Sequence, residues 1–284
     1  MTGPIRSLLL ASFELLPDGE PGGGLLVEAL ARRGVEARWA VWTDPSVDWA
    51  AADAVAVRST WDYHRRLSRF LSWCDRVGAT TPLLNGADVF AWNSDKSYLA
   101  ELAQHLPVVP TRVVADEDLL DGLRRGLDEH GTVVVKPCVS AGGVGVVVAE
   151  RTDDQRLAHL TAGPWVVQPL VDSVRTDGEI SVFVLGGRAV SQVHKLPGGT
   201  EVRVHEEYGG TTHPVPLQDG PADLAVRALA VVEAKFGRSL PYGRVDLLRH
   251  DGDLVVSEVE LIEPGLYLDV FPDNADAFAA AVAG

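Results

Sequence analysis

The stretch VVVKPCVSAGGVGVVV, residues 133–148, constrains the fold more than any other part of the chain. Three valines lead into a lysine, a short turn and three glycines follow, and valines resume. A Walker-type phosphate loop places its lysine after the glycines and puts Ser or Thr next, at a helix start. Here Lys136 precedes Gly142, Gly143 and Gly145, and valines come after them. The dinucleotide fingerprint GxGxxG fails for a related reason, because it too must open a helix. β-Branched residues on both flanks predict strand, loop, strand. Glycines let such a hairpin lie close over a ligand, and the lysine points at it.

The amino-terminal part predicts a small parallel sheet. Residues 5–15 read as a strand, LLVEALARRG as an amphipathic helix stopped by Gly34, and VEARWAVW and AVAVRS (54–59) as two more strands. Strand–helix–strand with short links puts helices on the faces of the sheet and a ligand beyond the carboxyl ends of its strands. Two segments fall there: PDGEPGGG, and Arg58, Ser59, Thr60, Trp61, Asp62 and Tyr63. Arg58 either clamps a carboxylate with its planar fork or forms a structural ion pair beside a packed Trp. A helix over 65–77 and a short strand near 82–84 close this domain near residue 90.

Further along, Asn93 or Ser94 is expected to cap a helix over 95–105. Lys96 in its first turn is either tolerated and exposed or faces a docked anion. WVVQPLV reads as a strand interrupted by Pro169, hence an edge or a connector. DGEISVFVLGGRAVSQVHKLP gives a hairpin around Gly186 and Gly187. EVRVHEEYGGTTHPV is expected to be an irregular, mobile loop. A helix over 221–236, a last hairpin through YGRVDLLRHDGDLVVSEVEL and a closing helix complete the chain.

That last hairpin carries three carboxylates. Glu258 and Glu260 are spaced i, i+2 and share a strand face. A three-residue loop, with 250 facing 254, sets Asp246 opposite Glu258; a two-residue loop turns Asp246 to the other face. The set is either a solvated acidic edge or an oxygen-only site for Mg²⁺ or Mn²⁺, which in nucleotide sites also bind phosphate.

Charge narrows the partners. With 25 basic and 40 acidic residues the formal charge is −15, which argues against nucleic acid or an anionic membrane, since both reward a basic surface. No apolar run approaches the ~20 residues of a membrane span. The opening segment holds one basic residue, is interrupted by Glu14 and lacks an A-x-A site, so it reads as a strand and not as a leader. Cys74 and Cys138 make neither a disulfide framework nor a zinc site. A cytoplasmic location is therefore expected. Only four basic residues are Lys: Lys96, Lys136, Lys195 and Lys235. In a chain that otherwise uses Arg, a lysine suggests a need for a compact ammonium. Lysines, glycine hairpin and carboxylates together predict a nucleoside triphosphate and a metal between two β-rich lobes.

In order along the chain, Asn93 and Lys96, Val135-Lys136-Pro137 with its glycines, Val167-Gln168-Pro169-Leu170-Val171, Gly178-Glu179-Ile180-Ser181, the Arg203 segment with Gly209-Gly210, and Val245-Asp246-Leu247 with Glu258-Val259-Glu260 resemble the ATP-grasp superfamily. The likeness is to the branch of prokaryotic glutathione synthetases and RimK-like ligases. It implies an α/β fold of α+β lobes: a Rossmann-like pre-ATP-grasp substrate domain (1–90), a small lobe with the flap (91–168) and a large lobe with the metal site (169–284). It implies ATP and Mg²⁺ or Mn²⁺ as cofactors, with Lys96 and Lys136 on the α- and β-phosphates. Ser140, Gly142, Gly143 and Gly145 become the flap, and Gln168, Leu170 and Val171 the adenine hinge. Asp172 or Glu179 touches the ribose or orders the site. Arg203 steadies the transferred phosphoryl group, and Lys195 lies beside it or beside the substrate carboxylate. Arg58, Ser59, Thr60, Asp62, Glu206, Gly209 and Gly210 face the substrate. Asp246, Glu258 and Glu260 hold the metal.

Two positions depart from the pattern. Glu260 stands where many such ligases carry Asn, and Ser181 where RimK-like proteins carry Arg, which argues against a RimK-type peptide. The segments around Glu179, His205, Asp246 and Glu258 are more similar to the O-ureido-serine cyclo-ligase branch. That likeness implies a role in antibiotic biosynthesis: the carboxylate of O-ureido-D-serine is activated as an acyl phosphate, the internal N–O nitrogen closes the ring of D-cycloserine, and a carbamoyl group is lost. The nucleophile's proton is left to solvent, His205 or Glu206. The other readings are an intermolecular amino-acid or peptide ligase of the glutathione synthetase type, a phosphotransferase, and an ATP-binding module without turnover. The partner expected is a small amino-acid-like molecule, and a homodimer is allowed.

Overall fold

The first three strands pair in parallel and show why both faces must be covered. The computed structural model describes residues 4–160, 163–199 and 201–283. In it β1 (Ser7–Ser12), β2 (Glu36–Val41) and β3 (Ala54–Ser59) lie in the order β2-β1-β3. Every residue of β3 is buried, as expected of a parallel strand covered by helices on both sides. The helix α1 (Gly23–Arg32) packs over β2. In α2 (Leu67–Gly78) Phe70, Trp73, Cys74 and Val77 fall at helical spacing and are buried. The strand expected at 82–84 is a single bridge between Val55 and Leu83.

Next come two short helices, α3 (Ala87–Asn93) and α4 (Tyr98–Leu102), in place of one helix over 95–105. Asn93 does not cap a helix. Its buried amide spans to the far hairpin, donating to the Val259 carbonyl at 2.7 Å and accepting from the Leu261 N–H at 2.8 Å. Tyr98, Leu99 and Leu102, which the expected division at residue 91 gives to the small lobe, pack with Val182, Leu229 and Val245 of the large one.

The small lobe is a four-stranded antiparallel sheet. β4 (Arg112–Val114), β5 (Val133–Pro137), β6 (Val147–Ala149) and β7 (Trp165–Pro169) lie in the order β4-β7-β5-β6. The segment expected as an edge strand or a connector is thus an inner strand. Pro169 is its last residue, so the missing N–H interrupts no inner part of the ladder. The helix α5 (Leu119–His130) lies close on this sheet. A Cβ on Gly122 would come within 2.6 Å of Val114, so a larger residue there would force the helix away.

The large lobe is built on a five-stranded antiparallel sheet. After the single turn α6 (Ser173–Thr176) come β8 (Glu179–Leu185), β9 (Arg188–Leu196) and β10 (Thr211–Val215). The end of the expected mobile loop is therefore ordered, pairing with β9. The long α7 (Asp219–Phe236) covers one face, and the hairpin β11 (Tyr242–His250) and β12 (Asp253–Glu260) follows. Strand order is β10-β9-β8-β11-β12. The last helix, α8 (Asp273–Ala283), returns to pack on α1, so the large lobe and the first domain share one core.

Candidate active site

The hairpin of β11 and β12 has the two-residue loop that should have defeated the carboxylate site. His250 pairs with Asp253 across Asp251 and Gly252, both with positive φ. Yet Asp246 still faces Glu258, because the register shifts between Asp246 and Leu247 and leaves Ser257 as an extra residue. Such a bulge turns the strand by one residue and re-aims the side chains beyond it. The Ser257 hydroxyl donates to the Asp246 carbonyl at 3.0 Å, which ties the bulge down.

Behind this strand pair the charges alternate. Arg244 donates to both oxygens of Asp246 at 2.9 Å and to Glu260. Lys195, with its side chain 1 % exposed, sits 2.7 Å from Glu179 and 3.7 Å from Asp246. Ser181 donates to Asp246 at 2.5 Å. Lys96 pairs with Glu258. Burial would push the Asp246 carboxyl up, but Arg244 and Lys195 hold it well below the usual carboxylate range. Burial would push the Lys96 ammonium down, but Glu258 outweighs it and raises it. Glu260 is different. Burial and the neighbouring Asp246 and Glu258 push it up to about 7 despite Arg244. Burial and Glu260 push Glu263 up to about 8.

A cleft of about 570 Å³ lies over these groups, between the lobes. Lys96, Lys136, Ser140, Gly142, Gly143, Gln168, Leu170, Val171, Glu179, Arg203, Glu206, Glu258 and Glu260 all line it. Lys136 projects from β5; burial lowers its pKa, and among the described residues no carboxylate pairs with it. Gly142, Gly143 and Gly145 all have positive φ, the conformation that glycine adopts without strain. Arg203 stacks on Tyr208, its guanidinium 3.5 Å from the ring centre, and pairs with Glu201.

Other expected residues lie elsewhere. Lys195 lies beneath the cleft and does not line it. Gly209 and Gly210 shape the loop instead: a Cβ on Gly210 would meet the Val204 carbonyl at 2.2 Å. Arg58, Ser59, Thr60 and Asp62 are buried and also outside the lining. Arg58 lies between the rings of Tyr242 and Phe278 and donates to the Pro264 carbonyl at 2.5 Å. Asp62 accepts from the Trp42 indole at 2.8 Å and pairs with Arg66. These are structural contacts, and a substrate carboxylate has no access to that arginine.

The first domain meets the cleft through both segments expected beyond its strand ends, with Glu20 and Pro21 from one and Trp61 and Tyr63 from the other. Glu20 accepts from the N–H groups of Leu266 and Tyr267 at 2.6 and 3.1 Å, while its other oxygen lies 3.6 Å from Arg58 without a hydrogen bond. Gly265 forms the corner. A Cβ there would lie 3.6 Å from Trp61, 3.8 Å from Glu20 and 4.0 Å from Arg244. Glu20 and Trp61 lie in the two segments expected there, and Arg244 stands two residues before Asp246 on the same strand face.

The donor set suits a hard divalent cation. Glu258 and Glu260 offer oxygen only, and a cation beside Glu260 would relieve the repulsion that raises its pKa. The trio does not converge as expected, however. Among the described residues no three acidic, histidine or cysteine side chains form a metal cage, because both oxygens of Asp246 are taken by Arg244. No helix among the described residues is long and apolar enough to cross a membrane.

Comparison with known proteins agrees with this geometry. Residues 95–267 match the family described as RimK-like ATP-grasp domain, and residues 8–85 the one described as D-cycloserine synthetase DcsG, N-terminal domain. The chain is 36% identical over 276 residues to the cycloserine biosynthesis protein DcsG of Streptomyces lavendulae, covering 91% of each. It is 28% identical over 287 residues to a probable alpha-L-glutamate ligase of Rhodopirellula baltica, covering 90% of this chain and 67% of that one. The crystal structure of D-cycloserine synthetase DcsG superimposes with a TM-score of 0.84 at 34% identity, covering 98% of both chains.

Proposed function

Because the chain belongs to the RimK-like ATP-grasp family of ligases, we propose that it joins carbon to nitrogen within one small amino acid, closing O-ureido-D-serine to D-cycloserine. The observation that carries the substrate class is the Gly265 corner. A carboxylate, a guanidinium and an indole meet within 4.0 Å of one point that a side chain would fill. An ammonium beside Glu20 and a carboxylate toward Arg244 would complement it. The corner is closed by the first domain, which suits a free amino acid better than a peptide. The likeness to the Streptomyces lavendulae protein supports the same reading.

The chemistry needs what the cleft offers. A carboxylate is a poor electrophile until one oxygen attacks the γ-phosphorus of ATP and ADP leaves. That transfer needs positioning and charge neutralisation more than covalent help. In this reading Lys96 and Lys136 hold the phosphates, Gln168 to Val171 the adenine, and Arg203 the moving phosphoryl group. Glu258 and Glu260 would hold Mg²⁺ or Mn²⁺, which when bound supplies positive charge against the triphosphate. The internal nitrogen then attacks the carbonyl carbon, phosphate leaves, and water removes the carbamoyl group. The flap and the loop carrying Arg203 shield the acyl phosphate from bulk water.

The test is ADP and phosphate release from Mg-ATP with and without O-ureido-D-serine, with product mass read in parallel. Substrate-dependent release with the mass of the closed ring supports the proposal. Release only with other amino acids, trapped as hydroxamates by hydroxylamine, would favour an intermolecular ligase.

A further inference from the structure

Attack by nitrogen on an acyl phosphate leaves one proton to be placed. The nitrogen lone pair forms the C–N bond, the electron pair of the C–O bond departs with phosphate, and an N–H proton must leave. Most carboxylates near the cleft are held by cations: Asp246 and Glu260 by Arg244, Glu179 by Lys195, and Glu258 by Lys96. Glu263, pushed up to about 8, already carries its proton at neutral pH. Glu206, Glu207 and Asp269 also line the cleft but are exposed to water, whereas two imidazoles, His64 and His205, are part-buried in its wall. Each has a buried Nδ1 with no hydrogen-bond partner among the described residues.

The two differ in position. His64 belongs to the first domain, next to Arg65. His205 is two residues from Arg203 and stands edge-on to Tyr208, ring centres 6.3 Å apart. Its Nδ1 lies 3.4 Å from where a Cβ on Gly143 would sit, and Arg203 Cδ lies 3.0 Å from the same point. The imidazole is therefore held between the flap and the arginine assigned to the phosphoryl group. This buried nitrogen has no hydrogen-bond partner among the described residues, and a substrate N–H brought between flap and loop would supply one. Burial, with Lys195 and Arg244, lowers its pKa to about 4. The ring is neutral and able to accept.

We propose that His205 is the general base of the ring-closing step, taking the proton of the attacking nitrogen and passing it to the departing phosphate or to solvent. The assignment rests on the ligase reading above. It is distinct from phosphoryl transfer, in which no N–H is broken.

The experiment separates the two half-reactions in His205→Ala. With O-ureido-D-serine and Mg-ATP, ring product should form on the order of 10²–10³ times more slowly. Hydroxamate formation from the same substrate in hydroxylamine should stay within about twofold, since that nucleophile attacks as its free base. Retained trapping also shows that the variant is folded. Added imidazole should restore ring product and leave trapping unchanged. An equal fall in both products would make the residue structural or place it in phosphoryl transfer, and an unchanged ring-product rate would also overturn the assignment. If the parent protein yields neither ADP nor hydroxamate, the ligase reading itself fails and takes the base with it.

Discussion

Lys96 and Glu258 form an ion pair in the wall of the cleft although 162 residues separate them in the chain. The pair joins the cation proposed for phosphate to a carboxylate proposed for metal. Glu258→Gln should therefore lower kcat on the order of 10²–10³-fold and flatten its dependence on magnesium concentration. Turnover at varied magnesium decides this; a variant with full activity would place the metal elsewhere.

Lys136 makes the complementary case, because no carboxylate of the described residues pairs with it. Lys136→Ala should weaken Mg-ATP binding by roughly 10–100-fold, the usual range for losing a hydrogen bond to a charged group. Calorimetric titration reads it directly. Unchanged affinity would remove Lys136 from the triphosphate.

Arg244 neutralises two buried or half-buried carboxylates at once. Breaking a buried pair from one side leaves uncompensated charge and costs about 3–5 kcal/mol. Arg244→Met should accordingly lower the urea midpoint, and adding Asp246→Asn should recover part of the loss. Equal midpoints for parent and single variant would show that the network contributes no stability.

Glu260 and Glu263 set a pH dependence of opposite sign to ordinary paired acids. Their carboxyls titrate at about 7 and about 8 when folded, against 4.5 for a free glutamate. The folded state thus binds protons that the unfolded state has released, and stability is lost as pH rises through these values. His64 and His205, both lowered, act the other way but only below the ordinary histidine value of 6.5. Metal-free protein should therefore lose Tm between pH 7 and 9, and Glu263→Gln should lose less. A flat profile in the parent would contradict the burial of these groups.

Local pattern foretold the groups whose position depends on a single element. Lys136 and its glycines needed only a strand and a loop, and Glu258 and Glu260 only the alternation of one strand. Asp246 was placed opposite Glu258 through an incorrect loop length; the compensating bulge at Ser257 has no mark in sequence. Arg58 resembled a carboxylate clamp because a charged residue ended a strand. Its burial depends on Tyr242 and Phe278, far along the chain. Glu20 lies in the glycine-rich segment expected beyond the first strand, but its own contacts had no local mark, because its partners are backbone groups 246 and 247 residues away. What propensity cannot express is contact between distant segments, and the Gly265 corner is made of such contacts.

Glu20 and Arg58 also impose an order on biosynthesis. The strands of the first sheet are all available once residue 59 has emerged from the ribosome, yet the partners that hold these two side chains are Pro264, Leu266 and Tyr267. Until those are made, a carboxylate and a guanidinium destined for burial remain in water, and the pocket that Glu20 lines lacks one wall. A nascent chain of this protein can therefore gather a sheet early but closes the Gly265 corner only after residue 267 has been made.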